Sequence, residues 1–277
     1  MFPEAIYDSR MIKRIILCLI TIPFIVCTQK QNEDHSDWIL FGLLFLPCPG
    51  GEQRIVSDQI IKNTIIDYEL PASGILLSYR TILQTELAKY PENYTTKACA
   101  SRIVLTQNLR RSDIGYVAAF PDPLQGTLFL SVNGQAGNSD TNYLIRVIHH
   151  ELHHNAEYAM YRNMRSADPA WENLNTPGFI YGSGGSEAYF NPNIPWSALT
   201  NPRPGFVNLY STLSQEEDRA EIVSLLMGGT TYFTLFSGFC GQDEIVRNKA
   251  RKVSEMLSNL SGTTGYWNDR RTGTSCQ

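Results

Sequence analysis

Apolar positions along this chain fall into two rhythms. Between residues 74 and 90, Ile75, Leu76, Tyr79, Ile82, Leu83 and Leu87 recur at three- and four-residue steps, which predicts a helix stopped by Pro91. Three β-branched runs follow. Residues 102–109 alternate in part, residues 115–120 end in a Pro121-Asp122-Pro123 turn, and residues 127–132 end at Asn133-Gly134. The helical period then returns in Leu144, Val147, Ile148, Leu152, Ala156 and Met160. Cap candidates precede it at 138–141, and no Pro or Gly interrupts residues 141–164. A further helix over 214–227 opens with Ser214 and Glu217 in capping-box spacing. Another over 243–260 carries Ile245, Val246, Ala250, Val253, Met256 and Leu257 inward and ends at Gly262. Strands followed by helices predict an α+β class.

Three stretches break these rhythms. Residues 38–47 are a short apolar run, followed by the turn signal Pro49-Gly50-Gly51, and residues 55–70 are apolar without a clear period. Residues 166–209 are rich in Pro, Gly, Asn and aromatics, including Trp171, Phe179, Tyr181, Tyr189, Phe190, Trp196 and Phe206. A stretch that long without period reads as an insertion shaping a cleft; the alternative is a surface loop packed by its own aromatics. At the N-terminus, with Met11 as a candidate start, Lys13-Arg14 precede an uncharged aliphatic core over 15–26 that ends at Cys27. This pattern reads as a signal peptide over 1–26 and predicts export. The cysteine followed by polar residues resembles a bacterial lipoprotein signal, although Val26 stands where a small residue is usual. That resemblance implies a lipid on Cys27, a membrane anchor at the bacterial cell envelope, and a tether and extension over 27–70 before a domain over 71–277.

Composition narrows the function classes. With 277 residues, 43% hydrophobic and 18% charged, the chain has room for one substantial core. A net charge of −4, with no basic stripe, excludes a nucleic-acid footprint. Once residues 1–26 are removed and Cys27 is lipidated, Cys48, Cys99, Cys240 and Cys276 remain for two disulfides in an oxidising compartment. Three pairings are open.

The candidate chemistry lies at His149-His150-Glu151-Leu152-His153-His154, which holds four of the five histidines. His150 and His154 are four apart, so both imidazoles share one helix face and can converge on one zinc ion. Glu151 projects about 100° further round, placed to act on a water rather than the ion. The offset pair His149 and His153 has no carboxylate in the equivalent place. A third ligand is needed. The extended pattern with glycine and a third histidine is excluded by Glu157 and Met160. Glu157 itself shares the histidine face, but three ligands from one straight helix suit a tetrahedral ion poorly. Glu217 on the following helix is the better source, with Glu221 one turn on to accept the ring N–H of a ligating histidine. Glu217 serving only as a cap stays open, and Glu216 and Asp218 are alternatives that point elsewhere on the helix.

The histidine block, together with Tyr210 seven residues before Glu217-Asp218-Arg219-Ala220-Glu221, resembles the gluzincin metallopeptidases. More narrowly, it is similar to zinc-binding metallopeptidase lipoproteins of bacteria and to the catalytic domain of anthrax lethal factor. The stretch from Trp171 to Tyr181 resembles the W-x-x-L-N-P-x-x-F-x-Y stretch of the lipoprotein group, with Thr176 inserted before Pro177. The likeness covers roughly residues 100–227. It implies a zincin-like fold, a small sheet on an active-site helix with a helical C-terminal part. It also implies one Zn²⁺ held by His150, His154 and Glu217, and hydrolysis of peptide or protein substrates. Glu151 would be the base, and Tyr210 would donate to the developing oxyanion unless it is a core tyrosine. The strand over 127–132 would lie along the cleft and pair with an extended peptide. Two rivals are a non-catalytic surface lipoprotein using the same fold for binding, against which the intact Glu151 argues, and a metal-dependent hydrolase of non-protein polymers.

Overall fold

A computed structural model of the chain describes residues 48–163, 166–182 and 195–277. Cys27, the signal region, the tether, Tyr189 and Phe190 lie outside the described residues. In chain order the elements are β1 (Arg54–Val56), β2 (Ile66–Glu69), α1 (Ser73–Leu87), α2 (Tyr94–Lys97), β3 (Arg102–Arg111), β4 (Gly115–Tyr116), β5 (Ala119–Asp122), β6 (Thr127–Ser131), α3 (Thr141–Tyr161), α4 (Pro169–Glu172), α5 (Gln215–Met227), α6 (Thr230–Gln242), α7 (Glu244–Ser261) and α8 (Thr264–Thr272).

The class is α+β, with one mixed six-stranded sheet ordered β1-β3-β6-β5. β1 and β6 run parallel to β3, β5 runs antiparallel to β6, and β2 and β4 pair with the far end of β3. Two apolar clusters cover the two faces. Ile103, Leu105, Leu128 and Leu130 face the helices, whereas Val104, Leu109 and Phe129 face a smaller cluster with Val56, Ile66 and Tyr68. Burial on both faces explains why Ile103–Leu105 of β3 and Leu128–Leu130 of β6 are unbroken apolar runs instead of alternating. The sheet takes strands from before residue 70. The expected boundary at 70/71 therefore does not separate an extension from the domain, because β1 and β2 are part of the sheet.

α3 packs its Leu144, Ile148, Leu152 and Ala156 face into the main core, and α5 and α7 lie against it. Asp140 caps α3 by accepting from the Tyr143 N–H at 2.9 Å. Asn155 ties the middle of the helix to the sheet, donating to the Cys99 and Thr127 carbonyls at 2.6 and 3.2 Å. The turn between β6 and α3 depends on Gly134, at φ 63°, where a Cβ would stand 1.9 Å from the Asn138 carbonyl oxygen.

Several sequence expectations shift. α1 ends at Leu87, not Tyr90. The run 115–120 divides into β4 and β5, and β5 continues through Pro121 to Asp122, where a turn was expected. Pro121 is tolerated because β5 is a sheet edge. α6 and α8 were not anticipated. α6 (TTYFTLFSGFCGQ) is rich in aromatic, β-branched and Gly residues, so its helix is imposed by packing of Phe236 and Cys240 into the core. α8 is polar, anchored by the buried Trp267 against Tyr90 and Tyr94. Disulfides join Cys48 to Cys99 and Cys240 to Cys276, selecting one of the three pairings. Among the described residues no single helix is long and apolar enough to cross a membrane.

Candidate metal centre

His150 and His154 project from one face of α3, and Glu217 and Glu221 from the facing turns of α5. The Nε2 atoms of the two histidines stand 3.1 Å apart. Glu217 Oε2 lies 3.0 Å from His150 Nε2 and 3.5 Å from His154 Nε2. Ligands at about 2.0–2.1 Å from a tetrahedral ion are separated by about 3.3 Å. The observed triangle fits that spacing, and these three residues form a group able to hold a metal ion. Glu217 also fills the third position of α5, where its N–H donates to Ser214 Oγ at 3.3 Å. Ser214 thus caps the Glu217 backbone, while the Glu217 carboxylate is turned to the histidines.

The protein surrounding this triangle fixes its protons. His150 Nδ1 donates to Glu221 Oε1 at 3.0 Å, which turns Nε2 toward His154 and Glu217. Glu221 is itself held by Arg146 Nη2 and Asn208 Nδ2, each 2.7 Å from Oε2. Burial opposes charge on His150, but hydrogen bonds to Glu217 and Glu221 outweigh it and raise its pKa to about 9. His154 is also raised despite burial, chiefly by the Glu217 charge. Burial raises the Glu217 carboxyl, but the two imidazoles outweigh it and hold its pKa well below the usual range. Both shifts favour protonated histidines beside the Glu217 carboxylate, and a metal ion bound there would release those protons.

Glu151 and Tyr210 line the same cleft. Burial pushes the Glu151 carboxyl up, against the pull of His150 and His154. Tyr210 opens a single 3-10 turn, with its ring 6.0 Å from that of His150 and 4.8 Å from that of Trp196. Its N–H donates to the Trp196 carbonyl at 2.9 Å, which sets the ring against the cleft. Burial, then the Glu217 and Glu151 carboxylates, raise its pKa.

The offset histidines do structural work. His149 sits between the Tyr90 hydroxyl at 2.9 Å and Glu86 at 2.7 Å, fully buried. His153 faces Glu157 at 3.5 Å, and Glu157 is paired with Arg219. Asp218, weighed as an alternative ligand, instead accepts from Trp171 Nε1, the Tyr181 hydroxyl and Lys249 Nζ at 3.0, 2.6 and 2.6 Å.

The cleft has a volume of about 970 Å³. One wall is the outer edge of β5, with Ile65, Ile114 and Leu124 exposed beside it; the other carries Trp196, Leu213 and Glu216. Among the described residues β5, not β6, is the sheet edge on this side: β6 is paired on both sides. The strand over 127–132, expected to be open to a peptide, is therefore closed on both sides, and residues 119–122 hold the edge beside the cleft. Ser131 N–H donates to the Ala118 carbonyl, so alternation turns the Ala119 N–H and C=O and the Pro121 C=O outward. The aromatic insertion contributes less than expected. Of its described aromatics only Trp196 lines the cleft, while Trp171, Phe179, Tyr181 and Phe206 pack around Asp218 and Lys249. Arg146, Asn208 and Lys249 were not singled out from sequence. For Arg146 a signal existed, since it stands one helical turn before His150.

No protein-family model, no curated protein and no solved structure matches this chain.

Proposed function

We propose that this protein is a zinc-dependent metallopeptidase with a zincin-like arrangement, acting on extended peptide segments. The observation that carries this reading is the His150, His154 and Glu217 triangle, set beside Glu151 in an open cleft with an unpaired strand edge. A two-imidazole, one-carboxylate donor set suits Zn²⁺. The bound ion would polarise the scissile carbonyl and lower the pKa of a water molecule toward 7. Glu151 takes the proton of the attacking water and returns it to the leaving amine. Tyr210 donates its hydroxyl hydrogen to the oxygen on which charge develops. Glu221 keeps His150 in the tautomer that presents Nε2. The substrate backbone pairs with Ala119 and Pro121 by strand addition, and its apolar side chains lie against Ile65, Ile114 and Leu124.

The same reading includes export and an anchor on Cys27. Two disulfides are consistent with an oxidising compartment.

Elemental analysis tests the centre. Wild type should hold about one zinc, His154→Ala and Glu217→Ala should lose it, and Glu151→Gln should keep it. Wild type should cleave members of a degenerate peptide library and Glu151→Gln should not. A zinc-loaded wild type that binds library peptides without cleaving any would support the binding-module alternative.

A further inference from the structure

We propose that Arg146 is a positioning residue for the metal centre. It fixes Glu221, and through Glu221 the His150 ligand, while tying both to the cleft wall. The inference rests on the metal-centre reading above and extends it to a residue that is not one of the proposed ligands.

Arg146 lies on α3 one turn before His150, so its side chain leaves the same helix face. Its guanidinium is largely buried and makes two separate contacts. Nη2 donates to Glu221 Oε2 at 2.7 Å, and Nη1 donates to the Ser197 carbonyl at 3.2 Å. Glu221 is 2% exposed, too buried to rely on water for its charge. Its two oxygens are divided between tasks: Oε1 meets His150 Nδ1, and Oε2 takes Arg146 and Asn208. Two donors on Oε2 stop the carboxylate from rotating, which holds Oε1 in line with the imidazole. Asn208 gives a neutral hydrogen bond, and Arg146 is the cation that compensates a buried carboxylate beside His150. The planar fork also reaches Ser197, next to Trp196, whose ring and carbonyl seat Tyr210. One side chain thus joins the orientation of a metal ligand to the wall that carries the proposed oxyanion donor.

The test compares Arg146→Met and Arg146→Lys with wild type. Zinc affinity is read by chelator competition starting from metal-loaded protein, so a variant that folds only with metal still yields a value. The visible spectrum of the cobalt-substituted protein reports ligand geometry. Lys249→Met, which breaks another buried ion pair without touching a ligand or its partner, is the stability control. Arg146→Met should weaken zinc binding about ten-fold or more and alter the cobalt spectrum. Arg146→Lys, which keeps a cation beside Glu221, should recover most of the affinity. The inference is overturned if Arg146→Met keeps wild-type affinity and spectrum while losing stability as the control does. It is also overturned if Arg146→Lys is no better than Arg146→Met. Wild type that binds no zinc would sink the metal-centre reading itself, a different result from either.

Discussion

Lys249 and Asp218 form an ion pair with both side chains fully buried, 2.6 Å apart, between α7 and α5. Lys249→Met keeps most of the stem, so little volume is lost; what goes is the ammonium, which also lies 3.8 Å from the Phe206 ring centroid and donates to the Gly205 carbonyl at 2.8 Å. The change leaves the Asp218 carboxylate in the core without its cation. Removing one partner of a buried pair typically costs about 3–5 kcal/mol. Asp218 retains the Trp171 and Tyr181 donors, which places the expected loss near the lower end, about 3 kcal/mol. At about 2–4 °C per kcal/mol for a domain of this size, Tm should fall by about 6–12 °C. Urea unfolding followed by circular dichroism should show a lower midpoint at an unchanged slope. Burial already raises the Asp218 pKa despite Lys249, so in the variant the carboxyl should protonate more readily. The deficit should therefore be largest at neutral pH and shrink as pH falls. Pairing the change with Asp218→Asn should restore part of the loss, because no buried charge remains. A loss under about 1 kcal/mol, the range of a surface pair, would refute the reasoning. So would a deficit that does not change with pH.

Three further outcomes follow from the same geometry. In metal-free protein the His150 pKa is raised from 6.5 to about 9, so its stabilising contribution is complete below pH 6.5 and is lost as pH rises through 9. Thermal unfolding with chelator should show stability falling across that window, and excess zinc should abolish the fall; a flat metal-free profile would contradict this. Tyr210→Phe should lower kcat by about 10²–10³ with zinc content and KM nearly unchanged, measured on a fluorogenic peptide; an unaltered kcat would return Tyr210 to a core role. Replacing both Cys240 and Cys276 with serine opens a 36-residue separation and should cost about 4 kcal/mol in reversible unfolding. A change below 1 kcal/mol would show that the C-terminal helices hold without the bridge.

The histidine helix α3 was the most legible part of the sequence. Its apolar stripe at Leu144, Ile148, Leu152 and Ala156 and its His150/His154 spacing are properties of one helix, and local periodicity suffices to read them. Glu217 and Glu221 were legible for the same reason: the Ser214 cap fixes where α5 begins, and hence which face each carboxylate takes. Less legible was what the insertion does. Its aromatics read as a cleft wall, but Trp171 and Tyr181 are drawn inward by Asp218, whose partner Lys249 lies 31 residues away in sequence. No local pattern encodes that attraction.

By itself the sequence determined the α+β order, the register of the histidine pair and the helix that brings Glu217 to it, because each depends on spacing within one element or on a cap next to it. Only the tertiary structure decided which strand holds the sheet edge beside the cleft. That choice depends on sheet order, and β5 lies at the edge because β6 is claimed on both sides by hydrogen bonds. It also decided the disulfide pairing and the helical state of α6, which has weak intrinsic propensity and is stabilised by burial. Arg146 belongs with these. Its position before His150 is visible in the chain, but its meaning rests on Glu221 and Ser197, which only folding brings within 3.2 Å of its guanidinium.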